Sequence, residues 1–192
     1  MTYQRSRSLL IGVLLLVAVV TLACGGGDGE AGDRSAPSGS SDVPPAPAGD
    51  LPATDGEAGA FDTSRAGVAR LDPDLREAVV TAARDARRAG VPMVVTSGWR
   101  SREHQQRLYD EAVATYGSDE EARRYVATPD TSAHVTGDAV DLGPTDALSW
   151  LSQHGSRYGL CQTFANEMWH YELSTSPGGE CPPMLADGRS RG

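Results

Sequence analysis

The sequence predicts an α+β domain: a small antiparallel sheet flanked by helices. Three observations predict it. Helix-like segments come early and strand-like segments late. Two of the strand-like runs carry polar residues among their apolar ones. About 130 residues follow a low-complexity stretch, enough for one real core.

The 192 residues do not all belong to that domain. Arg5 and Arg7 precede an apolar run at 9–23, broken by Gly12 and Thr21. A basic start, about 15 apolar residues and small residues ahead of Cys24 describe an export signal over 1–24. The run is short for a spanning helix, which needs about 20 residues. The cysteine after Thr21-Leu22-Ala23 resembles a bacterial lipoprotein signal, in which Cys24 takes lipid and becomes the anchored N-terminus. Thr21 stands where such signals usually carry Leu. An ordinary cleaved signal and an uncleaved anchor are the alternatives, and all three place the rest of the chain outside the cytoplasm.

Residues 25–62 are rich in Gly, Ala, Pro, Ser and Asp, with almost no large apolar side chain. Such a segment cannot offset the entropy of ordering, so it reads as a tether. It also holds much of the net charge of −9, with eight acids against one arginine. The domain from 63 to 192 is only mildly acidic and has no basic face for nucleic acid.

Within the domain, Asp72-Pro73 opens a helix, the aspartate as cap and the proline in the first turn. Leu75, Val79, Ala82, Ala83 and Ala86 form its apolar stripe, and Gly90 ends it. Met93-Val94-Val95-Thr96 reads as a buried strand closed by Ser97-Gly98. A second helix runs from about Ser101 to Tyr116, with Gly117 after it. Ser118 and Glu121 form a capping box for a third, broken at Thr128-Pro129-Asp130. Residues 139–142 are strand-like, 146–154 a helix stopped by Gly155, and 169–173 a last strand.

Of three cysteines, lipid on Cys24 leaves Cys161 and Cys181 as a pair in an oxidising compartment, and a disulfide is expected. It would bracket the segment Asn166-Glu167-Met168-Trp169-His170-Tyr171-Glu172.

That segment and SAHVTGDAVD (132–141) carry the chemistry. His134, Asp141 and His170 are three ligands of the kind that suits zinc, and a catalytic zinc site keeps a fourth position open for water. Glu167, three residues before His170, can serve as the carboxylate beside the metal. Residues seven apart on a regular strand face opposite ways, so His134 and Asp141 share a metal only if the chain bends, most naturally at Thr136-Gly137. Val140 and Leu142 then face the core. Glu167 should lie in a loop, with His170 on the strand and Trp169 and Tyr171 turned from the metal. His104 and His154 read as ordinary helix-terminal histidines.

These residues match a family. SAHVTGDAVD fits S-x-H-x-x-G-x-A-x-D, EMWH fits E-x-W-H, and SGWRS (97–101) fits S-G-[YW]-R-S, in that family's order. The chain resembles the bacterial zinc D-alanyl-D-alanine carboxypeptidases of the VanY type, which share a core with the hedgehog signalling domain. The resemblance covers about residues 66–175. It implies a hedgehog/DD-peptidase-like fold, with zinc on His134, Asp141 and His170 and Glu167 as the catalytic base. Arg100 would polarise the scissile carbonyl, and Ser132 would contact substrate. Gln105 or Gln106 would line the groove, Gln106 being the expectation, with Trp99 at its edge; residues 115–130 are expected as its lid or wall. The chain departs from the family at Met168, where Pro is common, and at Glu172, where many members carry Arg. A carboxylate at 172 should repel a free peptide terminus.

The implied reaction is removal of the terminal D-Ala from peptidoglycan stem peptides by a monomeric enzyme tethered to the membrane. An L,D-carboxypeptidase, an endopeptidase or a non-catalytic zinc-stabilised wall-binding module are the alternatives.

Overall fold

A computed structural model describes residues 62–191, all within one unit spanning residues 41–192. The export signal, Cys24 and the tether up to residue 61 lie outside the described residues. Among the described residues, no helix is long and apolar enough to cross a membrane.

The helices are α1 (Ala66–Ala69), α2 (Pro73–Arg88), α3 (Arg102–Tyr116), α4 (Asp119–Ala122), α5 (Ala133–Thr136) and α6 (Thr145–His154). The strands are β1 (Val94–Ser97), β2 (Ala139–Gly143), β3 (Leu160–Gln162) and β4 (His170–Leu173). Short 3-10 turns cover Gly155–Tyr158 and Gly188–Arg191. The strands form one antiparallel sheet in the order β1-β2-β4-β3.

The caps read from the sequence are present. Asp72 accepts from the backbone N–H groups of Asp74 and Leu75, Ser101 from that of His104, and Ser118 from that of Glu121. The apolar stripe of α2 packs on the sheet with Val95, Val140, Leu142, Leu160 and Tyr171 in one core. Tyr109, Ala112 and Ala122 make a smaller cluster between α3 and α4.

Three local expectations are corrected. The third helix is one turn, α4, because Arg123 to Ser132 leaves the helical path in successive turns. The stretch around His134 is the helical turn α5, not an extended run. The strand β3, three residues long, was not anticipated.

The central pair β2 and β4 positions the site. All five residues of β2 are buried, and Asp141 lies directly across from His170. Two glycines bring α5 to this pair. Gly137 ends α5 at φ +87°, and a β-carbon there would sit 2.5 Å from the Arg70 carbonyl oxygen. Gly98 passes so close to α1 that a β-carbon would meet the Gly67 oxygen at 2.0 Å.

Candidate metal centre

Three side chains from three elements converge: His134 on α5, Asp141 on β2 and His170 at the start of β4, each buried. Asp141 Oδ1 stands 3.3 Å from His134 Nε2 and 3.3 Å from His170 Nδ1, and those two nitrogens are 3.3 Å apart.

The outer atoms of each ligand are fixed. His134 Nδ1 lies 2.7 Å from the Gly98 carbonyl oxygen, which can only accept, so Nδ1 carries the proton and Nε2 presents a lone pair. His170 Nε2 lies 2.8 Å from Glu172 Oε1, which by the same reasoning turns the lone pair of Nδ1 inward. Asp141 Oδ2 takes a 2.8 Å bond from Arg100 Nη2, while Oδ1 is buried without a hydrogen-bond partner. Three lone pairs thus face one point. An orphaned buried carboxylate oxygen between two imidazole lone pairs is costly. A cation removes the cost, and this donor set suits zinc.

Arg100 is 3 % exposed, and three of its five N–H groups are engaged. Besides Asp141 it donates to Ser97 Oγ at 2.9 Å and to Gln105 Oε1 at 3.2 Å, leaving two donors. Its first effect is therefore to orient the carboxylate of Asp141 so that Oδ1 faces the histidines.

Glu167 lies in the turn before β4, held by bonds from its own N–H to Phe164 O and from His170 N–H to Glu167 O. Its Oε2 is 3.9 Å from His170 Nδ1, within reach of the point of convergence. Burial is the largest influence on Glu167 and pushes its carboxyl up to about 7, with Asp141 adding to the rise and His170, Arg100 and Arg191 opposing it. For His134, burial and then Arg100 hold the imidazole below its ordinary range. For His170, burial favours the neutral ring, but Asp141 and Glu172 lift it to about 9 when no metal is bound, so that a proton on Nδ1 then takes the place the cation would take. Burial would raise Glu172, yet its bonds to His170 and Arg191 bring it down to about 2.

His134, Asp141, His170, Arg100 and Glu167 line one shared cleft. Ser132 lines it with its hydroxyl uncommitted to capping α5. Tyr125, Val126 and Ala127 supply the wall expected from residues 115–130.

Two expected residues lie elsewhere. Gln106 is on the outer face of α3, bonded to Asp110. Gln105 takes the inner place, 1 % exposed, linking Arg100 to the Ala127 carbonyl. Trp99 does not line the cleft; its ring donates to Val135 O and lies under the Arg70 guanidinium, bracing the back of α5. His104 and His154 are outside the cleft, His104 beside Arg107 and His154 stacked on Trp150.

Thr131, Phe164 and two residues near the C-terminus also line the cleft and went unread in the sequence. Gly188 and Arg191, in the C-terminal turn, line it from the far end of the chain. Charge pairing is the signal that could have found Arg191: both oxygens of Glu172 are held in its fork at 2.7 Å each.

With this geometry in hand, comparison with known proteins is decisive. A model of the VanY family, described as D-alanyl-D-alanine carboxypeptidase, matches residues 68–177, more than half the chain. The chain belongs to the VanY family. A curated D-alanyl-D-alanine carboxypeptidase from Enterococcus faecalis is 33% identical over 128 residues, covering 53% of this chain. The matched part spans 46% of that relative's own length, under half of it. The solved structure of VanYB with D-alanine-D-alanine is 30% identical, with TM-score 0.51, covering 53% of this chain and 70% of that one. A VanY variant from a VanB-type resistance cassette, solved with Zn(II), is 29% identical, with TM-score 0.50 over 53% and 71% of the two chains. The LdcB LD-carboxypeptidase, at 20% identity and TM-score 0.51 over 65% of each chain, shares the fold.

Proposed function

We propose that this VanY-family chain is a zinc carboxypeptidase that removes the terminal D-alanine from peptides ending in D-Ala-D-Ala, the stem peptides of the bacterial wall. The observation that carries the reading is the convergence of His134, Asp141 and His170 beside a half-buried carboxylate, Glu167. A purely structural zinc would fill its fourth position with a protein ligand and need no such base. The VanY and VanYB structures, one with zinc and one with D-Ala-D-Ala, support the choice of metal and substrate.

His134 Nε2, Asp141 Oδ1 and His170 Nδ1 would hold the ion. Zinc, when bound, supplies Lewis acidity and lowers the pKa of a coordinated water to about 7. Glu167 takes the proton of the water that attacks the scissile carbonyl carbon. As the carbon–nitrogen bond breaks, it returns that proton to the leaving amine, whose product is free D-alanine. The two remaining donors of Arg100 stabilise the oxygen on which charge develops. Ser132 binds the peptide from the cleft wall.

The Cys161–Cys181 disulfide, with Cα atoms 5.7 Å apart, supports an oxidising compartment. We place the enzyme outside the cytoplasm, tethered through residues 25–62 to a lipid on Cys24.

The test is incubation of zinc-loaded protein with a pentapeptide ending D-Ala-D-Ala and a tetrapeptide ending in one D-Ala, with products followed by mass spectrometry and Glu167→Ala as control. Loss of one alanine from the pentapeptide alone, abolished in the variant, is expected. Cleavage of the tetrapeptide moves the reading to L,D-specificity, and cleavage of neither by zinc-bound protein refutes carboxypeptidase activity.

A further inference from the structure

The C-terminal segment beyond β4 folds back over the site. Cys181 ties its base to β3 through Cys161. Leu185 pairs with the 163–165 segment, its N–H donating to Thr163 O and its O accepting from Ala165 N–H. Gly188 then passes so close to Arg123 that a β-carbon would meet that carbonyl at 2.6 Å. The strap ends with Arg191 over the Phe164 ring, 5.2 Å from its centroid, and with its fork on Glu172.

Glu172 sits two residues after His170 on β4, so both side chains leave the same face of the strand. Its carboxylate is 13 % exposed and bonded to His170 Nε2. Alone, it would put a poorly solvated negative charge directly behind His170, which lines the cleft, and would repel a peptide acid bound there. The cleft has two arginines on its walls. Arg100 is committed to Asp141. The cation that answers Glu172 comes from the strap.

We infer that Arg191 is a positioning residue that sets specificity: by neutralising Glu172, the C-terminal strap lets the cleft admit a peptide end bearing a free carboxylate. This rests on the carboxypeptidase reading above. It also accounts for a carboxylate at 172 in a chain of this family.

The test is calorimetric binding of D-Ala-D-Ala and of its C-terminal amide to the full, zinc-loaded chain. All variants carry Glu167→Ala so that nothing is hydrolysed, and zinc content is verified for each. Adding Arg191→Gln should weaken binding of the acid on the order of tenfold, because two like charges then face each other at low dielectric. The amide should change by less than about twofold on that account. Adding Glu172→Gln to Arg191→Gln should restore the acid, since glutamine still accepts from His170 but carries no charge. Arg191→Lys should retain most of the affinity. Equal weakening of acid and amide would mean that the strap is merely structural and would overturn the inference. Weakening that persists after Glu172→Gln would make Arg191 a direct ligand of the peptide and overturn it too. An acid unaffected by Arg191→Gln, or unbound by the parent protein, also overturns it. Turnover of the pentapeptide by the wild-type chain, measured in parallel, shows separately whether the carboxypeptidase reading stands.

Discussion

At the scale of single residues, the site is an arrangement of lone pairs fixed from behind. Each ligand is held by a partner that leaves one atom free: Gly98 O for His134, Glu172 for His170, and Arg100 for Asp141. The proposed mechanism gives Arg100 two tasks, and they separate experimentally. Arg100→Lys keeps a charge but cannot bond Ser97, Gln105 and Asp141 together. It should weaken zinc binding by roughly 10–100-fold, as loss of an outer partner does, and lower kcat at saturating zinc by about 10²–10³. A rate loss with unchanged zinc affinity, in a competition titration with a chelator, would leave polarisation as its sole role. With Glu167 as the proposed base, its ionisation sets the pH response. A general base must be ionised, so activity is lost as pH falls through its pKa. That pKa is about 7 in the metal-free protein, because of burial, and a bound dication can only lower it. The kcat/KM of zinc-loaded enzyme should thus rise with pH along a limb centred at or below about 7. A profile that falls across that range contradicts Glu167 as base. The clustering of His134 with Asp141 was legible because Gly137 marks the bend that lets the two side chains meet. The choice between Gln105 and Gln106 depended on helix phase. Gln105, Tyr109 and Ala112 form the buried stripe of α3, at spacings of four and three, and that periodicity was there to be read.

At the scale of elements, α5 shows where pattern reading runs out. Residues 133–136 have no amphipathic period long enough to declare a helix, and one turn forms because Gly137 and Gly98 let the chain pack against α1 and the start of α2. The bend at Gly137 was legible; the helical turn before it was decided by tertiary contact. The strand β3 was missed for the same reason: three residues carry no alternation, and pairing with β4 defines them. Gly137 gives the sharpest test of this packing. Gly137→Ala meets both a left-handed backbone and a 2.5 Å approach to Arg70 O. It should cost about 1–3 kcal/mol, lowering the Tm by several degrees, and should weaken zinc binding because His134 moves with α5. A variant as stable as wild type with full zinc affinity would show that the turn tolerates repacking.

At the scale of the molecule, the parts most important to the reaction are held by different kinds of constraint. The α+β class and the antiparallel sheet followed from local signals, because caps, stripes and glycine stops agree with the fold they build. The C-terminal strap did not. Residues 174–191 are poor in apolar pattern, and their path is set by a covalent link, one parallel bridge and ion pairs. His134 and Asp141 belong to the core around β2. His170 is paired through β4 to strands on both sides. Glu167 has neither support; it lies in the irregular segment that the disulfide encloses. A bridge separated by 20 residues contributes about 3 kcal/mol in the chain-entropy model. Replacing both cysteines by serine should therefore lower the Tm by on the order of 10 °C. Below that temperature, one zinc per chain should be retained, while kcat falls by more than about tenfold as the base loses its fixed approach. Serine variants suit this measurement better than thiol reductants, which compete for zinc. Equal loss of zinc and turnover would show that the disulfide supports β4 itself. Loss of stability with kcat intact would show that the Glu167 turn is held by its own hydrogen bonds, and that the bridge serves only to anchor the strap that carries Arg191.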